Sequence, residues 1–248
     1  MITLTRLLAA IAVAVCVFTA GAAQAQSFTP QQRGEIEAII RDYFIKHPEM
    51  IEELQALAQS EKLKRAIVEN KQALFHSPRQ VTLGNPNGDV TMVEFFDYNC
   101  GFCKRALDDM MTLIKADPNL RVVLKEMPVL SQGSMDAAQV AVALAMQDKG
   151  GKRYLDFHQK LLTGRGQVDK ARALAVAKEV GADMAKIEKD MNGAEVKAAL
   201  QESFALAEAL GFQGTPSYVV GNEAVVGAVG VKELQAKINN ARCGKATC

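Results

Sequence analysis

The stretch from residue 90 to residue 126 leaves a folding chain few choices. Residues 90–96 form an apolar run rich in β-branched and aromatic side chains, with Glu94 inside it. Residues 100–116 then set Leu107, Met110, Met111 and Ile114 on one helical face, Asp117-Pro118-Asn119 stops that helix, and 120–126 is a second strand-like run. A strand, a helix and a strand joined with so little slack make a βαβ unit, and its crossover requires the two strands to run parallel. At the junction of the first strand and the helix stands Cys100-Gly101-Phe102-Cys103. The spacing alone admits half a metal site, a structural bridge or a redox centre.

The remaining segments extend the pattern. Residues 80–83 read as another strand, separated from the βαβ unit by the turn 84–89, which lacks the Gly-Lys-Ser/Thr of a phosphate loop. Every periodic segment from 134 to 210 is helical, with breaks near 164–166, 181 and 192–193. Residues 214–228 carry two short strand signals around Asn222, and a last helix covers 231–241. The order is therefore β, βαβ, a helical block, ββ, α, with no internal repeat.

Residues 1–25 read as a leader: Arg6 is the charged start, 7–19 the apolar core, and Ala23-Gln24-Ala25 a cleavage signal. Cys16 leaves with it, because Val15 is larger than the residue that precedes a lipidated cysteine. Residues 26–79 read as a helical arm. Thr29 caps a helix that starts at Pro30 and carries Ile36, Ile39, Ile40, Tyr43 and Phe44, and His47-Pro48 breaks it. A second helix from 48 to 75 shows an imperfect apolar stripe of Ile51, Leu54, Leu57, Leu63, Ile67 and Leu74. That stripe needs a cover, either its own domain or a second copy of the chain. Self-association through this arm is the expectation.

Arg6 is the only charge in the leader, so the rest of the chain is close to neutral, which gives no electrostatic reason to expect nucleic acid as a partner. Export places the cysteines where disulfides form and persist, and four remain: Cys100, Cys103, Cys243 and Cys248. Four intervening residues make Cys243–Cys248 a small loop that a structural disulfide can close. Joined to the first pair, those sulfurs would offer four thiolates to zinc or copper, the rival reading, but their spacing is loose and they stand at the end of the sequence. The histidines His47, His76 and His158 lie far from both pairs in sequence and read as surface residues, and the methionines as packing.

A cysteine at the first turn of a helix meets unpaired N–H groups and the positive end of the helix dipole, both of which favour thiolate. Cys100 is then the sulfur that attacks, and Cys103, one turn on and further in, the one that resolves a mixed disulfide. Glu94, an acid on a buried strand, can carry protons for Cys103 through a water, or can be a satisfied strand-end carboxylate.

"VEFFDYNCGFC" followed by "GTPSYVV" resembles the DsbA/DsbC superfamily of exported thiol–disulfide oxidoreductases over residues 80–242. The resemblance implies an α/β, thioredoxin-like fold with an inserted helical domain at 131–210, an N-terminal helical arm and a short tail at 243–248. It implies a cis Thr215-Pro216 peptide beside the CxxC that leaves the Thr215 backbone free for a substrate strand. It also places Glu94 at the family's buried acid, with Lys125 on the neighbouring strand as its charge partner. Gly101-Phe102 departs from the Pro-His of strongly oxidising DsbA. The dipeptide and the arm together look more like the suppressor-of-copper-sensitivity C proteins. The implied activity is isomerisation or reduction of protein disulfides in the periplasm, with dithiol oxidation as the alternative. It needs no dissociable cofactor. Its expected partners are exported proteins with thiols or disulfides and a membrane redox protein.

Overall fold

The computed structural model describes residues 28–148 and 150–248; the leader read from residues 1–25, Cys16 included, lies outside them. The chain divides into a first unit that ends at Leu57 and a second that runs from Ala58 to Cys248. In the first unit, α1 (Pro30–Lys46) begins with a capping box: the Thr29 hydroxyl accepts from Gln32 N at 3.2 Å, and Gln32 Oε1 accepts from Thr29 N at 2.9 Å. Two of the helix's orphan donors are thereby satisfied. Helix α2 (Glu49–Glu69) follows. Helix α1 buries none of its residues; Ile36, Ile39, Ile40 and Tyr43 are exposed, as are Ile51, Leu54 and Leu57 at the start of α2.

The second unit takes in part of what the sequence assigned to the arm. The single helix expected over 48–75 ends at Glu69, and α3 (Lys71–Phe75) restarts after Asn70. The run breaks at Asn70, whose backbone leaves the helical range at φ −102° and ψ 12° and whose side-chain amide donates to the Ala66 carbonyl at 2.8 Å. The restart swings Leu74 into the core with Ala66 and Ile67, so this end of the apolar stripe is covered by its own domain. Residues 58–79 thus belong with the sheet.

The sheet has five strands, β1 (Val81–Gly84), β2 (Val90–Phe96), β3 (Leu120–Glu126), β4 (Ser217–Val220) and β5 (Glu223–Val226), in the order β1-β3-β2-β4-β5. Strands β2 and β3 are parallel, as the βαβ reading requires, and the other pairs are antiparallel. At Gly84 the backbone has φ +68°, and a Cβ would stand 2.6 Å from the Leu120 carbonyl, so only glycine fits this turn. Helix α4 (Gly101–Ala116) crosses between β2 and β3. The helical block comprises α5 (Gln132–Ala145), α6 (Lys152–Thr163), α7 (Lys170–Glu179), α8 (Met184–Asp190) and α9 (Ala194–Leu210), and α10 (Val231–Cys243) closes the chain. Arg242, near the end of α10, forks onto both oxygens of Asp89 at 2.8–3.1 Å and reaches Asp117 at 2.8 Å, tying α10 to the turns that flank β2 and α4.

Strand alternation sorts the two faces of the sheet. Met92, Phe96, Val122, Leu124, Tyr218 and Val220 join the core that holds Cys100, Cys103, Leu107 and Met110 of the α4 side. Val93, Phe95, Val123 and Val219 join the opposite core with Leu74, Leu206 and Leu210. Glu94 therefore points toward α4. Lys125 is paired in register with Phe95 and points the other way. The expected Glu94–Lys125 charge pair does not exist, because the two residues differ in parity across a parallel register. Lys125 instead donates to Glu202 of α9 and to the Ala73 carbonyl, each at 2.8 Å.

Lys125 is almost wholly buried and Glu202 is partly buried, and removing the carboxylate partner of such a lysine strands its charge. Lys125→Met should lower stability by about 3 kcal/mol in urea denaturation, and adding Glu202→Gln should recover part of that loss. The thiol titration of Cys100 should stay unchanged, since the pair lies on the far face of the sheet. A moved Cys100 titration would restore Lys125 to the cysteine side.

Candidate active site

Three residues after β2 set the angle at which α4 begins. Asp97 Oδ1 accepts from Asn99 N at 2.7 Å, and Cys100 N donates to the Asp97 carbonyl at 3.0 Å, which makes a tight turn with Cys100 as the helix N-cap. The same buried carboxylate accepts from Val129 N at 2.9 Å, Leu130 N at 3.0 Å and the Ser134 hydroxyl at 2.7 Å. The Asn99 amide donates to the Val168 carbonyl at 2.9 Å and accepts from Val168 N at 2.7 Å. The turn that presents Cys100 is thus held to the loop after β3, to the start of α5 and to the segment between α6 and α7.

The Cys100 and Cys103 sulfurs are not bonded to each other. The Cys100 thiol donates to the Thr215 carbonyl at 3.1 Å, and the Thr215–Pro216 peptide is cis. That loop is pinned by the Ser217 hydroxyl on the Gly214 carbonyl at 2.7 Å and by Gly227 N on the Pro216 carbonyl at 2.8 Å. Cys100 is less open than a helix start suggests. Under the Thr215 loop it keeps 6% of its surface, against 1% for Cys103. The Cys103 thiol, donating to Cys100, is the main cause that brings the Cys100 pKa down to about 5. Partial burial opposes the fall, while the Thr215 side chain and the N–H groups of Cys103 and Phe102 assist it. Cys103 is driven well above the ordinary thiol range, first by that same hydrogen bond and then by burial. One sulfur is built to be a thiolate and the other a thiol.

Glu94 is buried on the sheet face that carries the cysteine core, its carboxyl pushed up to about 8 by burial, against the Tyr218 hydroxyl and with the help of the like charge of Asp109. Phe102 is 56% exposed beside the cysteines, with the Arg105 guanidinium 4.4 Å over its ring. Gly101 has open space where a Cβ would stand. The structure brings together Cys100, Gly101, Phe102, Cys103, Thr215 and Pro216, buries Glu94 on the same side of the sheet, and leaves Lys125 out. Cys243 and Cys248 are joined in a disulfide, so their sulfurs do not join the first pair in a four-thiolate set.

One histidine corrects the sequence reading. His158 is 1% exposed, not superficial; burial drops its pKa to about 3, and its Nδ1 lies 3.4 Å from the Tyr98 hydroxyl. Helix α6 turns it inward with Tyr154 and Phe157. The Tyr154 hydroxyl donates to Glu126 at 2.6 Å, and burial lifts that carboxyl far above its usual range. Asp97, Asn99 and Glu126 went unnoticed in the sequence. The Asp-x-Asn before Cys100 is an Asx-turn signal that could have found the first two, whereas the Glu126 cluster depends on how the helical block docks.

A family model described as a DSBA-like thioredoxin domain matches residues 91–239. A thioredoxin-like oxidoreductase from Silicibacter pomeroyi DSS-3 is 44% identical in sequence, with a TM-score of 0.66 over 70% of this chain and 98% of that one. A linker-deletion mutant of Proteus mirabilis ScsC is 25% identical, with a TM-score of 0.74 over 89% of this chain and all of that one. Among curated relatives, the thiol:disulfide interchange protein DsbA of Bordetella pertussis is 29% identical over 139 residues, 54% of this chain and 64% of that protein. The chain also matches two Na(+)/H(+) antiporters, of whose length it spans only about a quarter.

The pH dependence of the cysteines follows from these contacts. Thiolate absorbance of the reduced protein should rise with a midpoint near pH 5 from Cys100 alone, so alkylation by iodoacetamide is present above that pH and lost below it. Cys103→Ala removes the main donor and should move the midpoint upward. An unmoved midpoint would assign the stabilisation to the helix start and the Thr215 side chain.

Proposed function

The chain belongs to the family of DsbA-like thioredoxin domains, and from that membership we propose that it is an exported protein thiol–disulfide oxidoreductase. It isomerises or reduces disulfides in other periplasmic proteins. The observation that carries this reading is the division of labour between two sulfurs: a stabilised Cys100 under the Thr215 carbonyl, and a Cys103 kept as a thiol behind it. The Cys100 thiolate attacks one sulfur of a substrate disulfide, a mixed disulfide forms, and the other substrate sulfur leaves as thiolate. In isomerisation that released thiolate attacks a different substrate disulfide, and Cys100 is expelled unchanged. In reduction, Cys103 gives up its proton and attacks the Cys100 sulfur. The substrate leaves with the electron pair, and a Cys100–Cys103 disulfide remains for a membrane partner to reduce.

Two features favour reshuffling. Gly101-Phe102 places no histidine between the cysteines. The arm presents Ile36, Ile40 and Leu54 uncovered, and self-association through it would gather several thiols around one misfolded substrate. A dithiol oxidase is the second reading, favoured by the depression of Cys100, since a stabilised thiolate makes the disulfide form the stronger oxidant.

Cys103→Ala should accumulate mixed disulfides with exported proteins on non-reducing gels, while Cys100→Ala accumulates none. The in vivo state of the pair then separates the readings: mostly reduced for an isomerase, mostly oxidised for an oxidase. Ile36→Glu with Ile40→Glu should convert an oligomer into a monomer by light scattering and slow the recovery of a scrambled substrate. A wild-type chain that is already monomeric removes the arm from the mechanism.

A further inference from the structure

Tyr218 stands directly across from Glu94 in the antiparallel register of β2 and β4, on the face that also carries Cys103. Tyr218 is 1% exposed and Glu94 3%. Glu94 Oε2 and the Tyr218 hydroxyl are both buried and stop short of any hydrogen bond. Two such atoms facing each other are costly, and a phenylalanine at 218 would fill the strand face with nothing polar to strand. Their opposition becomes useful only when Glu94 is ionised, because a carboxylate accepts strongly from a hydroxyl.

No other donor is positioned for that task among the described residues. Strand β3 places Leu124 beside Glu94 in register, and α10 sends Leu234 and Ile238 into the same core. Helix α4 contributes Cys103 and the Asp109 carboxyl, a like charge that disfavours ionisation of Glu94. The cation Lys125 is on the far face of the sheet, bonded to Glu202. Tyr218 feels the charges of Glu94, Cys103 and Asp109, which places its hydroxyl among them.

We propose that Tyr218 is a positioning residue for thiol exchange, its hydroxyl donating to the Glu94 carboxylate and making that buried acid a usable proton acceptor for Cys103. The inference rests on the oxidoreductase reading and adds the residue that tunes its proton transfer. In the resolving step the Cys103 proton passes to the Glu94 carboxylate, and the Cys103 thiolate attacks the Cys100 sulfur of the mixed disulfide. The Cys100–Cys103 bond forms, and the substrate sulfur leaves with its electron pair as thiolate. Tyr218 keeps its own proton throughout. In the reverse direction Glu94 returns the proton to Cys103.

The test uses Tyr218→Phe in the full chain. The Glu94 carboxyl band is followed against pH by infrared spectroscopy and assigned by its loss in Glu94→Gln. The wild-type midpoint should lie near 8, and in Tyr218→Phe it should move upward. Closure of a preformed Cys100 mixed disulfide should slow several-fold at pH 7 and recover as pH rises. In the Glu94→Gln background, Tyr218→Phe should change the closure rate no further. An unmoved Glu94 midpoint, or an equal slowing in that background, overturns the proposal. The carboxyl titration needs no substrate, so a shifted midpoint in a chain that exchanges no disulfides would sink the functional reading and leave the Tyr218–Glu94 coupling standing.

Discussion

The stabilisation of one sulfur anion organises this fold. Cys100 draws on the Cys103 thiol, on the first N–H groups of α4 and on the Thr215 side chain, and each works only at hydrogen-bond range. Their convergence depends on where α4 begins. That point is fixed by Asp97, whose carboxylate accepts from residues 99, 129, 130 and 134. Asn99 adds a two-point clamp on Val168. The helical block is therefore part of the cysteine machinery, because it supplies the partners that keep the CxxC turn from rotating.

The sheet keeps two kinds of buried charge apart. On the α4 face, Glu94 and Glu126 are carboxyls lifted by burial and, among the described residues, left without a cation. On the opposite face, Lys125 is neutralised by Glu202. A cation beside Glu94 would pull its pKa down and remove its capacity to hold a proton near neutral pH. Strand alternation enforces the separation, since residues 94 and 125 cannot share a face in the observed register.

The N-terminal unit obeys different physics. Helix α1 is capped at its start, yet it buries nothing. Ile36, Ile39, Ile40 and Tyr43 along it stay exposed. The second unit covers the stripe from Leu63 onward, and the Asn70 break folds Leu74 into the core.

What the sequence determined was mostly local. The βαβ order, the cysteine pair at a strand–helix junction, the Thr29 cap and the helical block all follow from periodicity, caps and breakers that act within a few residues. The pairing of Glu94 was not legible, because which strand residue faces it depends on register between strands far apart in sequence. Tertiary structure chose Tyr218 and rejected Lys125. It likewise buried His158, which helical periodicity alone could not place, since only docking of α6 decides which of its faces meets the core. Short-range rules placed the sulfurs, and long-range packing decided the electrostatic surroundings in which they titrate.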